Sequence, residues 1–341
     1  RVEVPFDDGK TISCLLHLLP DRRKAPCVIY VPGMDQTKEY FPRVMNSLGV
    51  SRGMHVISMD GPGQGNSNIQ KIRAVGDNYE RAGAAVMTYL QGREEIDSDK
   101  IGIYGVSMGS YWSLRLASYD HRAAAIASGV ACFNPNNTIF SESSPRFKQM
   151  FMYMAGIQNE EEFDKMSSKM TVKGYSEKIK CPTLLVTGEF DPLCPLEDAI
   201  EVFEDLTCKR EMWVIEDQFH PLWNIPNLGK LDCHHYTVDW LQRVLFAKDS
   251  KGGVSDGRIA YVRNNGDGQA DDFTNNDKVV MTVGTNDHKD AMTALARLFS
   301  GAANGGKSFS MGNQLTFSGS GELDNGMTVS MSFVLDQGDD A

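Results

Sequence analysis

The sequence predicts an α/β fold: a mainly parallel, doubly wound sheet with a helical cap insertion, plus a small C-terminal β-rich region. Three observations lead there. Short apolar runs alternate with amphipathic helical patterns through residues 1 to about 247, as strands buried on both faces do. One of those runs enters the turn Gly105-Val106-Ser107-Met108-Gly109 and a helical pattern leaves it, the strand–turn–helix setting of an exposed nucleophilic serine. From about Lys248 the composition shifts to Asn, Asp, Gly, Ser and Thr, and a different architecture begins.

The 341 residues suit one large domain or two, and 41% apolar with 23% charged residues is an ordinary globular balance. A net charge of -11 leaves no basic stripe for phosphates, so a nucleic-acid partner is not expected. No apolar run reaches the length of a membrane helix, so no membrane span is expected either. The seven cysteines are scattered and form no C-x-x-C pair. They read as core residues of a protein in a reducing compartment, and a cytoplasmic location is expected.

In chain order, residues 2–5 and 11–19 flank the turn Asp7-Asp8-Gly9-Lys10 as an opening hairpin. Residues 26–31 form a buried strand, followed by the loop Pro32-Gly33-Met34-Asp35-Gln36-Thr37-Lys38 and a helical pattern over 39–51. A strand at 55–59 closes on Asp60-Gly61-Pro62-Gly63-Gln64-Gly65. That turn lacks the Lys-Ser/Thr of a phosphate loop and reads as a tight turn beside the pocket. Residues 77–91 place Tyr79, Ala82, Val86 and Leu90 on one helical face. Further strands are expected at 101–104, 124–128, 183–187 and 213–215, and helices at 196–206 and 231–246. Residues 133–180 interrupt the alternation with Met150, Met152, Met154, Met166, Met170, Phe147, Phe151 and Phe163. This insertion reads as a cap, its Met and Phe side chains either lining a pocket or packing the cap on the sheet.

A serine nucleophile requires a base and a carboxylate that orients the base, in the chain order Ser, acid, His for this kind of sheet. Ser107 is the expected nucleophile. Asp191 follows the strand Leu184–Gly188 as the acid, with Glu189 as near competitor. His220 follows the next strand as the base. His234 and His235 fall within a helical pattern, while His17, His55 and His121 precede the acid. The oxyanion hole is expected from the N–H groups of Met108, next to the nucleophile, and Met34, in the loop after the Cys27 strand. Gly33, Asp35, Met150, Met154 and Trp223 are the expected substrate-pocket residues. No metal or cofactor is expected; the run 265–271 is similar to a calcium loop, but Arg263 stands at its first ligand position.

These motifs together resemble the α/β-hydrolase family over residues 1 to about 247. More narrowly, they resemble the group of 2,6-dihydroxypseudooxynicotine hydrolase and related esterases. It is carried by Gly33-Met34-Asp35-Gln36-Thr37-Lys38-Glu39, Asp60-Gly61-Pro62-Gly63-Gln64-Gly65, the Ser107 turn, Cys181-Pro182-Thr183 and the His220 region. It implies a Ser107-Asp191-His220 triad acting on a small-molecule ester, or cleaving a carbon–carbon bond in a 1,3-diketone-like substrate. Such enzymes usually carry an N-terminal helical domain over the pocket, and this chain opens where that domain would end. A more open pocket favours esters. Ser110 stands where many members have another glycine. The alternative class is a non-catalytic binding protein on the same fold.

In the last third, residues 248–257 read as a linker. Residues 314–323 and 327–335 alternate around Asp324-Asn325-Gly326 as a hairpin resembling a fragment of a bacterial porin. One hairpin cannot close a barrel, so a small β-rich appendage or a fused unrelated fragment is expected over 258–341, with partial disorder as the alternative. Its apolar face should pack on a helix near 290–299, on the hydrolase body or on another copy of the chain, which makes a homo-oligomer one expected arrangement. No catalytic group is expected after residue 248, and truncation there is expected to leave turnover intact while altering solubility or oligomer size.

Overall fold

The computed structural model describes residues 1–40, 47–220, 222, 233–247, 254, 256–262, 279–284, 314–322 and 328–336. Its first compact unit, Arg1–Gly284, holds a ten-stranded sheet. The strands in chain order are β1 (Val2–Pro5), β2 (Thr11–His17), β3 (Ala25–Val31), β4 (His55–Met59), β5 (Ile96–Val106), β6 (Ala125–Val130), β7 (Thr183–Gly188), β8 (Arg210–Ile215), β9 (Arg258–Val262) and β10 (Val279–Gly284). Across the sheet they lie in the order β1-β2-β4-β3-β5-β6-β7-β8-β9-β10. From β4 to β9 every pairing is parallel; β1, β2 and β10 run antiparallel to their neighbours. The fold is that of the α/β-hydrolases.

All seven residues of β3 and all six of β6 and β7 are buried, as strands covered on both faces must be. The helices are α1 (Leu48–Ser51), α2 (Gly65–Ile69), α3 (Asn78–Gln91), α4 (Met108–Tyr119), α5 (Pro145–Ala155), α6 (Glu160–Ser167), α7 (Leu196–Asp205) and α8 (Cys233–Phe246). One core joins Tyr30, Tyr104, Ala127, Leu184 and Trp213 of the strands to Tyr236, Trp240 and Leu241 of α8. On α3 the buried set includes Tyr79, Ala82, Val86 and Leu90, the stripe that the sequence periodicity predicts. Of the helix expected over 39–51, only α1 is helical among the described residues: Glu39 and Tyr40 lie in a turn, and Ser47 is extended and opens α1, its hydroxyl accepting from the Val50 N–H.

The insertion between β6 and β7 is helical: a π-helical turn Asn136–Ser141, then α5 and α6. Phe140, Phe151 and Phe163 meet one another tilted or edge to face with centroids 5.0–6.1 Å apart, and Phe151 reaches Trp112 of α4 at 6.3 Å. These phenylalanines therefore pack the insertion onto the body.

One boundary differs from the sequence reading. Residues 258–262, expected in the appendage, form β9 beside β8, with Ala260 and Val262 in the core. The Gly257 N–H donates to the Arg210 carbonyl and Asp256 Oδ1 accepts from the Arg210 N–H, so the sheet register is already set before β9 begins. The four-residue apolar run Ile259-Ala260-Tyr261-Val262 after a polar linker carries no period that assigns it to one side of a boundary or the other.

The second compact unit, Thr285–Ala341, contains β11 (Gln314–Glu322) and β12 (Thr328–Asp336) as an antiparallel pair. Its register sets Leu315 opposite Leu335 and Phe317 opposite Phe333, the pairing that the alternation calls for. The helix expected near 290–299, His288 and the run 265–271 lie outside the described residues.

Candidate active site

β5 ends at the centre of the sheet, and the chain turns from Val106 through Ser107 directly into α4. Ser107 has φ 57° and ψ -129°, a conformation that costs a non-glycine residue roughly 1–3 kcal/mol. The two flanking glycines make it possible. A Cβ on Gly105 would sit 2.2 Å from Ser113 Oγ and 2.3 Å from the Gly109 carbonyl oxygen. A Cβ on Gly109 would sit 2.1 Å from the Val31 carbonyl oxygen, at the end of β3. Ser107 N–H donates to the Val130 carbonyl at 2.9 Å, tying the turn to β6. Ser110 is fully buried and its hydroxyl donates to the same carbonyl, so a serine is accommodated where many family members have glycine.

The loops after β7 and β8 converge on this serine. His220 Nε2 lies 2.8 Å from Ser107 Oγ, and His220 Nδ1 lies 2.7 Å from Asp191 Oδ2. The Asp191 side chain is fully buried, that of His220 only 13% exposed. Asp191 Oδ1 accepts from the Leu193 N–H at 2.8 Å, which leaves Oδ2 to the imidazole. With Nδ1–H donating to the carboxylate, Nε2 is the acceptor for the serine hydroxyl. The two loops are laced together: Phe190 N–H donates to the Gln218 carbonyl and Asp217 N–H to Glu189 Oε2. Glu189, the competing acid, thus faces a backbone amide. His234 is hydrogen-bonded to the Tyr104 hydroxyl and His55 accepts from the Leu19 N–H, so both are engaged elsewhere.

Met108 is the first residue of α4, so its N–H has no intrahelical acceptor, and it lies at the positive end of the helix. The Met34 loop runs alongside: a Cβ on Gly33 would lie 3.3 Å from Ser107 Cβ. Of the expected pocket residues, Gly33 is at the site and Asp35 is exposed on the same loop. Met154 is buried with its Cβ against Gly63, while Met150 is half-buried on α5. Trp223 lies outside the described residues.

The sequence did not disclose what holds the Gly33 loop. Gln36 Oε1 accepts from the Gly33 N–H at 3.0 Å and from the Tyr30 hydroxyl at 3.1 Å. Gln64 Nε2 donates to the Gly33 carbonyl at 2.7 Å. Lys38 pairs with the fully buried Asp60 at 2.7 Å. Burial opposes the Lys38 charge, but hydrogen bonds to Asp60 and Glu39 outweigh it and hold the ammonium pKa above its ordinary value. The only hint was the D-G-P-G-Q-G turn itself, whose partners on the Gly33 loop lie 22 to 31 residues away in sequence. Burial pushes the thiols of Cys132 and Cys194 well up and that of Cys181 to about 12, so these cysteines are not thiolate nucleophiles at neutral pH.

Residues 41–247 match the model of the prolyl oligopeptidase family. The chain belongs to this family. This prolyl oligopeptidase family member is similar to the 2,6-dihydropseudooxynicotine hydrolase of Paenarthrobacter nicotinovorans, with 30% identity over 224 residues, 65% of this chain and 58% of that protein. A hydrolase of Fusarium is 26% identical over 267 residues, 64% of this chain and 62% of its own. The crystal structure of 2,6-dihydroxy-pseudo-oxynicotine hydrolase matches with a TM-score of 0.61 at 26% identity, over 73% of this chain and 69% of that one. The chain spans about three fifths of the length of these curated relatives. It has the α/β-hydrolase fold, and among the described residues no helix is long and apolar enough to cross a membrane.

Proposed function

We propose that the chain is a serine hydrolase acting on an ester or an activated carbonyl of a small molecule. The observation that carries this is the unbroken line Ser107 Oγ, His220 Nε2, His220 Nδ1, Asp191 Oδ2, at 2.8 and 2.7 Å. Ser107 Oγ attacks the carbonyl carbon while His220 Nε2 takes the hydroxyl proton and Asp191 holds the resulting imidazolium. The Met34 and Met108 N–H groups receive the negative oxygen. The carbon–oxygen bond to the alcohol breaks, and His220 returns its proton to the departing alkoxide. Water, activated by the same histidine, then releases the acid and restores Ser107.

Ser107→Ala should lower turnover of p-nitrophenyl acetate by about 10⁴-fold or more, as loss of an activated nucleophile does. Turnover unchanged in the folded variant refutes the assignment. Labelling of Ser107 by a fluorophosphonate separates this reading from a non-catalytic binding protein.

Cleavage of a carbon–carbon bond in a 1,3-diketone-like substrate is the second reading. The likeness to the Paenarthrobacter enzyme favours it. It uses the same three side chains and differs in protonating a carbanion instead of an alkoxide. A panel of short esters set against an aryl 1,3-diketone separates the two.

A further inference from the structure

We propose that Gln64 is a positioning residue that aims the Met34 N–H at the oxyanion; this rests on the serine-hydrolase reading above. In a planar trans peptide the carbonyl and the following N–H point in opposite directions. The Gly33 carbonyl and the Met34 N–H belong to one such plane. Whatever fixes the Gly33 oxygen therefore fixes the direction of the Met34 N–H.

Gln64 does this from the opposite side. Its Nε2 donates to the Gly33 carbonyl at 2.7 Å and to the Gln36 carbonyl at 3.2 Å. Its Oε1 accepts from the Tyr79 hydroxyl at 2.7 Å. Two carbonyls on one end and a hydroxyl on the other leave a single orientation for the amide. Gln64 is 3% exposed, so water does not compete for these bonds. Burial, with Asp60 nearby, holds the Tyr79 hydroxyl protonated as a donor. A hydrogen bond to the carbonyl also polarises the peptide and makes its N–H a better donor.

The support runs back to the nucleophile. Tyr79 stacks on Trp112 of α4 at 4.0 Å with the rings 5° from parallel. A Cβ on Gly61 would lie 2.1 Å from the Tyr79 ring, so the turn carrying Gln64 is seated on that ring. Asp60 anchors the far end of the same loop, accepting from the Lys38 N–H at 2.9 Å and from Lys38 Nζ at 2.7 Å. The helix that presents Met108 thus also sets, through Tyr79 and Gln64, the plane that presents Met34.

The test uses Gln64→Met, which keeps the length and removes the donor, and Tyr79→Phe, which releases the other end of the amide. Each is assayed with p-nitrophenyl acetate and with a trifluoromethyl ketone, whose adduct on Ser107 carries an oxyanion. Gln64→Met is expected to lower kcat about 10- to 100-fold, short of the 10²–10³ for outright loss of a donor. KM should stay near wild type, and ketone affinity should fall by the same factor as kcat. Tyr79→Phe should move both in the same direction by less. Wild-type kcat and ketone affinity in folded Gln64→Met overturn the proposal, as does a loss confined to KM. If Gln64→Met does not fold, Tyr79→Phe decides by the same two readouts. A wild-type protein inert to both the ester and the fluorophosphonate overturns the serine-hydrolase reading, and this proposal with it.

Discussion

Gly109→Ala is the sharpest perturbation the site offers. The new methyl carbon would lie 2.1 Å from the Val31 carbonyl oxygen and 2.8 Å from that of Pro32. Both are backbone atoms, at the junction of β3 with the Met34 loop, so no side chain can swing away. A carbon–oxygen contact relaxes at about 3.3 Å, which forces α4 and the loop apart by roughly 1 Å. Overpacking of that kind costs about 1–3 kcal/mol, or several degrees in Tm for a chain of this size. The catalytic cost is larger. Ser107 and the Met108 N–H move with α4, Met34 moves with the loop, and a 1 Å misplacement costs about 10²-fold. Ester turnover and thermal unfolding measured on the same preparation test both figures. Gly92→Ala is the control: its φ is -79° and its Cβ would meet nothing closer than the Tyr89 carbonyl oxygen at 3.6 Å. It should leave turnover unchanged and gain up to about 1 kcal/mol by restricting the unfolded chain. Wild-type turnover in Gly109→Ala would show that the loop and α4 do not act together on the substrate.

Other substitutions test the acid, the charge balance and the boundary. Asp191→Asn should lower kcat about 10⁴-fold by spoiling the His220 tautomer, whereas Glu189→Gln should stay near wild type; the reverse order of losses would move the acid to Glu189. Burial and the nearby Glu201, Glu197 and Glu142 raise the Asp198 pKa, with Asn134 opposing, so the fold favours the neutral acid. The resulting destabilisation is absent below the unfolded value of 3.8 and grows as pH rises through the folded one, so Asp198→Asn should raise Tm at pH 7 and not at pH 3. A chain ending at Gly284 keeps the whole ten-stranded sheet and should keep ester turnover. A chain ending at Lys248 loses β9, uncovers the edge of β8 and should lose soluble yield and Tm; equal Tm for the two would place the boundary back at 248.

The sequence by itself determined the fold class. Fully apolar runs such as Val28-Ile29-Tyr30-Val31 and Ile101-Gly102-Ile103-Tyr104 admit only strands covered on both faces, and α3 announces itself through Tyr79, Ala82, Val86 and Leu90. The Ser107 turn is legible because Ser107 stands at positive φ in a tight turn and Gly105 is pressed against the Gly109 carbonyl four residues on, a local constraint. Local constraints leave local marks. Tertiary structure decided what depends on distant partners. Gln64 meets Gly33 across 31 positions, and the glycine-rich turn around it marks a tight turn without naming that partner. Lys38 and Asp60 are an unremarked pair of charges until β3 and β4 lie side by side. The phenylalanines of the insertion fit either a pocket wall or a packing layer until Phe151 is seen against Phe140, Phe163 and Trp112. The edge at β9 follows the same rule. Ile259-Ala260-Tyr261-Val262 could pair with any open strand, and only the β8 edge left exposed by the assembled sheet fixes which one.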